Sequence, residues 1–157
     1  MGRCPGPRLR ARDVIAVDTN ILVYAHRGDA PLHARAVEQL LGLAESSARW
    51  AIPWPCVHEF LAIVTHPKIY RPATPTAIAC AAVRAWMRSP GLVLLGEGPE
   101  HMDTLEALVT RALVTGGGTH DARIAALCIV HGVNVLWSAD RDFSRFPALR
   151  TRNPLVS

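Results

Sequence analysis

Four carboxylates in this chain lie where they could do chemistry together: Asp18, Glu59, Asp121 and Asp140. Asp18 closes the apolar run Val14-Ile15-Ala16-Val17, and Glu59 lies early in a helical stretch that follows a short apolar strand. Asp121 opens a helix after Gly116-Gly117-Gly118-Thr119-His120, and Asp140 follows the run Val133 to Trp137. The chain has only 13 acidic residues, so four at strand ends and helix starts are a large share. In an open parallel sheet, strand C-termini and helix N-termini share one edge, and ligands bind there. Four acids on that edge repel one another unless a cation lies between them. Mg²⁺ and Mn²⁺ are hard ions that take carboxylate oxygens and keep several waters. Two such ions roughly 4 Å apart activate water, orient a phosphate and stabilise the leaving oxygen. The expected chemistry is therefore metal-dependent phosphodiester cleavage.

Each acid also has a plainer structural reading, and the functional one rests on their joint placement. Asp18 could cap the helix that follows it, but Thr19 and Asn20 add short polar groups able to orient a carboxylate or a water. Glu59 could be a solvated first-turn acid favoured by the helix dipole. The pair His58-Glu59 lacks the second histidine of a zinc-protease helix, because position 62 is Ala62. Asp121 could cap its helix, although Thr119 suits that role. Asp140 and Asp142 frame Arg141 after Ser138-Ala139, which could be an Asx turn. Asp140 is nearer the strand end and is the favoured ligand, with Asp142 a second. The seven histidines show no metal-ligand spacing, and only His120 is expected near the site. The Gly116–Gly118 run lacks the G-K-[ST] ending of a P-loop and reads as a flexible connector.

The elements that must position these residues alternate. Strands are expected at Val14–Val17, Trp50–Ile52, Leu92–Leu95 and Val133–Trp137, with a fifth at the edge over Leu149–Arg152. Helices are expected from Asp18 through Tyr24, from an Asp29 cap before Pro31, from Cys56 to Thr65, from Thr74-Pro75 to Arg88, from Glu100 to Leu113 and from Thr119 to His131. Short apolar strands alternating with helices imply βαβ units and a three-layer α/β/α sandwich around a mainly parallel sheet. Right-handed crossovers then bring every strand C-terminus to one edge.

At 157 residues the chain fits one domain, able to bury about 70% of its unfolded surface without disulfide staples. We read residues 1–12 as a basic N-terminal arm without the apolar core of a signal peptide, and residues 13–157 as the folded domain. Cys4, Cys56, Cys80 and Cys128 are far apart, and the last three fall in apolar helical patterns, as buried free thiols of a reducing cytoplasm would. No apolar run approaches the ~20 residues of a membrane span. The net charge is +4, and Lys68 is the only lysine beside the arginines. Arginine suits bidentate phosphate contacts, and a basic rim around an acidic pocket suits a polyanionic substrate.

Val17-Asp18-Thr19-Asn20-Ile21-Leu22-Val23-Tyr24, Glu59, Thr119-His120-Asp121-Ala122-Arg123-Ile124-Ala125-Ala126 and Ser138-Ala139-Asp140-Arg141-Asp142-Phe143 resemble the four acidic motifs of PIN-domain nucleases. The similarity is closest to VapC-type toxins of bacterial toxin–antitoxin systems, from Val14 to the C-terminus. The resemblance implies the PIN α/β/α sandwich and a catalytic set of Asp18, Glu59, Asp121 and Asp140. Within that set, Asp18, Asp121 and Asp140 would hold Mg²⁺ or Mn²⁺, with Asn20, Ser138 and Asp142 in support. It also implies endoribonuclease cleavage of cellular RNA such as tRNA or rRNA, a homodimer, and inhibition by a cognate VapB-like antitoxin. The N-terminal arm is the main departure from the family.

Two other classes compete. An Asp-dependent phosphatase using Asp18 would want D-x-D, but position 20 is Asn20. An RNA-binding module without turnover would bind RNA in EDTA.

Overall fold

The computed structural model describes residues 13–156; the expected N-terminal arm and Cys4 lie outside them. Five short strands form one sheet in the order β3-β2-β1-β4-β5: β1 (Ile15–Val17), β2 (Trp50–Pro53), β3 (Leu92–Leu95), β4 (Val135–Trp137) and β5 (Thr151–Arg152). Every pairing is parallel. The three central strands are short runs of apolar residues, as befits strands covered on both faces. Ile15, Ala16, Val17, Trp50, Ala51, Ile52 and Leu136 are all buried.

The helices are α1 (Thr19–His26), α2 (His33–Glu45), α3 (Trp54–Val64), α4 (Thr76–Met87), α5 (His101–Arg111) and α6 (Gly118–Val130), followed by a 3₁₀ helix over Arg141–Arg145. α1 packs on α2 and α3, and α3 packs on α4. α5 packs on α6, and α6 on the 3₁₀ helix. These two groups are the outer layers of a three-layer α/β/α sandwich, the architecture expected from the sequence. The chain steps from β1 outward through β2 to β3, then returns across the sheet to β4. The order therefore reverses beside β1, and the crevice between β1 and β4 is where a sheet of this type holds its ligand. β4 aligns in register with β1, Val17 opposite Trp137. That pairing brings the residues after both strands side by side.

Several boundaries differ from expectation for local reasons. Asp29 does not cap α2. Its carboxylate is taken by Arg27, with Nε at 2.8 Å from Oδ1, and α2 starts after Leu32, whose φ is +62°. Cys80 is exposed, whereas Cys56 and Cys128 are buried as expected: Cys80 falls on the outer face of α4, while Ala79 and Val83 face the core. Thr119 lies inside α6, which begins after Gly117 without a side-chain cap. No helix among the described residues is long and apolar enough to cross a membrane.

Candidate active site

Asp18 is the first residue beyond β1 and the N-cap of α1. Its backbone N–H donates to the Trp137 carbonyl at 2.9 Å, which extends the β1–β4 ladder by one step. Its carboxylate is 5% exposed and closely held. Oδ1 accepts from the Thr19 N–H at 2.8 Å and from the Cys56 thiol at 3.5 Å. Oδ2 accepts from the Ser138 hydroxyl at 2.7 Å and from the Asn20 amide at 3.4 Å. Burial raises the pKa of Asp18, opposed by the Ser138 and Thr19 hydrogen bonds and aided by the nearby charge of Glu59. A buried carboxylate with several donors is a fixed structural point as well as a charge.

Asn20 and Ser138 tie the β1 and β4 corners together. The Asn20 amide also reaches the Ser138 oxygen at 3.3 Å, and its carbonyl accepts from the Ala139 N–H at 3.1 Å. The Ser138 oxygen accepts from the Asp140 N–H at 3.0 Å. Asp140 in turn caps the 3₁₀ helix, with Oδ1 accepting from the Asp142 N–H at 2.8 Å. The Asx turn read from the sequence is therefore present, and it is what aims Asp140 and Asp142 in one direction.

Asp121 is the fourth residue of α6. Ligand oxygens of Asp121, Asp140 and Asp142 all lie within 4.8 Å of one another. Asp18 is not one of those three, but it is close enough to act on Asp121 electrostatically. Burial, then the charges of Asp140, Asp18 and Asp142, raise the Asp121 carboxyl from 3.8 to about 6, with Arg145 opposing. The Arg145 guanidinium stands 4.0 Å from Asp121 Oδ2. It crosses so near the start of α6 that a Cβ at Gly118 would be 3.0 Å from it.

Glu59 is the sixth residue of α3, deeper in its helix than the sequence implied. It joins the site through Thr19, whose hydroxyl donates to Glu59 Oε2 at 3.0 Å. It also lines, with His58, His120 and Asp121, a cleft of about 520 Å³. The sequence implied His120 alone among the histidines; it lines this cleft, but His58, one residue before Glu59 on α3, lines it too. Sequence reasoning passed over Arg145, Cys56 and Trp54. Arg145 lies three residues beyond Asp142, and only the 3₁₀ turn carries it back to α6.

Three clustered carboxylates with a fourth behind them form a hard-oxygen donor set that fits Mg²⁺ or Mn²⁺. Burial first, and then repulsion from the neighbouring acids, raises Asp121, and a bound cation would offset both. In the unfolded chain this carboxyl returns to its ordinary value, so the folded state holds the proton more tightly. That advantage is complete below about pH 4 and is lost as pH rises through about 6. The melting temperature of chelator-treated protein, compared with an Asp121→Asn variant, should therefore fall between those pH values. Mn²⁺ should raise it more at neutral pH than at about pH 5, because the ligand must be ionised. Equal pH profiles for the two proteins would contradict the assignment.

Comparison with known proteins shows which family the chain belongs to. Residues 15–149 match the PIN domain family. Ribonuclease VapC33 of Mycobacterium tuberculosis is 32% identical over 142 residues, covering 90% of this chain and 99% of that protein. VapC ribonuclease Mb2897 of Mycobacterium bovis is 34% identical over 143 residues, covering 90% and 96%. Among solved structures, VapBC2 from Rickettsia felis, bound to a DNA fragment from its promoter, aligns with a TM-score of 0.66 at 19% identity, over 89% of this chain and 98% of that one. The M. tuberculosis toxin VapC20, described as cleaving the sarcin–ricin loop, aligns with a TM-score of 0.63 at 18% identity, over 83% and 92%. The chain belongs to the PIN-domain family, in its VapC ribonuclease branch.

Proposed function

We propose that this protein is a Mg²⁺- or Mn²⁺-dependent endoribonuclease toxin that cuts cellular RNA, with tRNA or rRNA the expected targets. A VapB-like antitoxin would hold it in check, and it would act as a homodimer in the cytoplasm. The observation that carries the reading is the Asp121–Asp140–Asp142 cluster, backed by Asp18, in the crevice where the strand order reverses. Support comes from relatives named as ribonucleases and from neighbours solved as toxin–antitoxin complexes.

Asp18, Asp121 and Asp140 would hold the cation, with Asp142 within reach of the same ion. When bound, the ion supplies Lewis-acid polarisation of the scissile phosphate and a nucleophile at neutral pH. The chain's own residues do the rest. Ser138 and Asn20 fix the Asp18 carboxylate so that it need not reorganise. Thr19 sets the Glu59 rotamer, leaving the second Glu59 oxygen to orient a water on the open side of the cleft. Arg145, beside Asp121, can meet a phosphate oxygen once the acids are neutralised by the cation.

The test is cleavage of total cellular RNA by antitoxin-free protein, with Mg²⁺ or Mn²⁺ against EDTA. Discrete fragments that need metal are the expected result. Retention of RNA without cleavage by the folded, metal-loaded protein would favour a binding module. Turnover of a small phosphomonoester instead would favour a phosphatase. Removing residues 1–12 should leave cleavage unchanged, since every residue of the site lies beyond them. Lost cleavage with an unchanged melting temperature would place the arm in substrate binding.

A further inference from the structure

An aromatic pair that the acid chemistry does not use reaches the cleft through His58. Trp54 is the first residue of α3, and Pro53 and Pro55 on either side set the chain's entry into the helix. It is 37% exposed. Its indole stacks on the exposed His58 imidazole, with ring centroids 6.0 Å apart and planes 29° from parallel. The indole edge lies over Gly96, where even a Cβ would be in ordinary contact at 3.6 Å. Trp50, four residues earlier, shows what a structural tryptophan looks like in the same segment. It is fully buried, and its indole N–H donates to the Ser89 hydroxyl at 2.9 Å. Trp54 is held in place with over a third of its surface still open to solvent.

His58 belongs to the cleft wall that also carries Glu59, His120 and Asp121. A cleft of about 520 Å³ falls in the ~300–1,000 Å³ range of ligand sites. Of the arginines nearby, Arg123 pairs with Glu97, its Nε 2.5 Å from Oε1, and Arg145 faces Asp121, while Arg141 is exposed beside Asp140. These arginines can meet the phosphates of a polyanion, but every phosphate along the strand offers them the same charge. A contact that selects one position along the strand must reach a base and not only the backbone. Stacking of bases on exposed aromatic rings is such a contact.

We propose that Trp54 and His58 form a stacking platform for one unpaired base of the RNA, next to the phosphate presented to the acid cluster. The inference rests on the ribonuclease reading and deepens it by naming single-stranded RNA, with a base free to splay, as the substrate class at this site. A base on the platform fixes which phosphodiester enters the cluster, so the pair sets cleavage position as well as affinity.

The test is binding of a short fluorescein-labelled single-stranded RNA in EDTA, where turnover is absent, beside the same sequence as a duplex. Trp54→Ala should weaken single-strand binding about tenfold, and Trp54→Phe should retain most of it. His58→Ala should fall between them, and duplex binding should change little. In Mn²⁺, Trp54→Ala should raise KM for RNA more than it lowers kcat. Native melting temperature with wild-type single-strand affinity in Trp54→Ala would overturn the platform. So would equal losses in Trp54→Ala and Trp54→Phe that track a fall in melting temperature. Weakened antitoxin pairing with intact RNA binding would assign this surface to a protein partner instead. If wild-type protein neither binds nor cleaves RNA, the ribonuclease reading itself fails. If it cleaves normally and Trp54→Ala does too, only the platform fails.

Discussion

Asp121→Asn is expected to abolish RNA cleavage while raising the melting temperature of the metal-free protein. Two effects of one carboxylate act in opposite directions here. Asp121 contributes an oxygen to the only cluster of three potential metal ligands among the described residues. Losing a direct ligand should cost more than the ~10–100-fold that outer-shell changes cost in metal sites. Yet the same carboxylate is held near pKa 6 by burial and by the charges of Asp140, Asp18 and Asp142. An amide of the same shape removes that repulsion. The pair of measurements is a cleavage assay in Mn²⁺ and a thermal melt in EDTA, both near neutral pH. A variant that is inactive but clearly less stable without metal would mean that Asp121 is a structural residue of α6.

Ser138→Ala is the second large effect, expected to lower cleavage about 10–100-fold with a smaller change in fold. One hydroxyl serves two acids: it donates to Asp18 Oδ2 at 2.7 Å and accepts from the Asp140 N–H at 3.0 Å. Without it, Asp18 Oδ2 keeps only the longer Asn20 contact, and the Asp140 amide loses its partner. Because Ser138 and Asp18 are both buried, water cannot readily replace the bond, and an unpaired buried group costs roughly 1–3 kcal/mol. The measurement is kcat/KM in a Mn²⁺ series. Activity lost at low Mn²⁺ and recovered at high Mn²⁺ would show that Ser138 acts by positioning metal ligands. Wild-type activity throughout would remove it from the site.

Much of this arrangement is legible in the sequence because it follows from short-range rules. Val14–Val17 and Val133–Trp137 read as buried strands, and Asp18 and Asp140 follow them directly, so the parallel pairing of β1 with β4 brings the two acids together. Ser138 and Asn20 lie within two residues of those acids. What the sequence did not give depends on tertiary competition. Asp29 has the position of a cap, but Arg27 two residues earlier offers a two-point ion pair. Cys80 lies in an apolar, alanine-rich stretch whose small side chains do not mark the outward face. Arg145 reaches Asp121 only because the 3₁₀ helix packs on α6. Asp142 looked subordinate to Asp140 in sequence, whereas the Asx turn puts its oxygens within the same 4.8 Å as those of Asp140 and Asp121. Trp54, between two prolines, carried no signal beyond its size.

Titration of chelator-treated protein with Mn²⁺, followed calorimetrically at neutral pH beside Asp121→Asn, tests the central claim most directly. The account predicts saturable Mn²⁺ binding by the wild-type protein and its loss in the variant. Absence of binding by the folded wild-type protein, or equal binding by the two proteins, would contradict the assignment of the acid cluster as a cation centre.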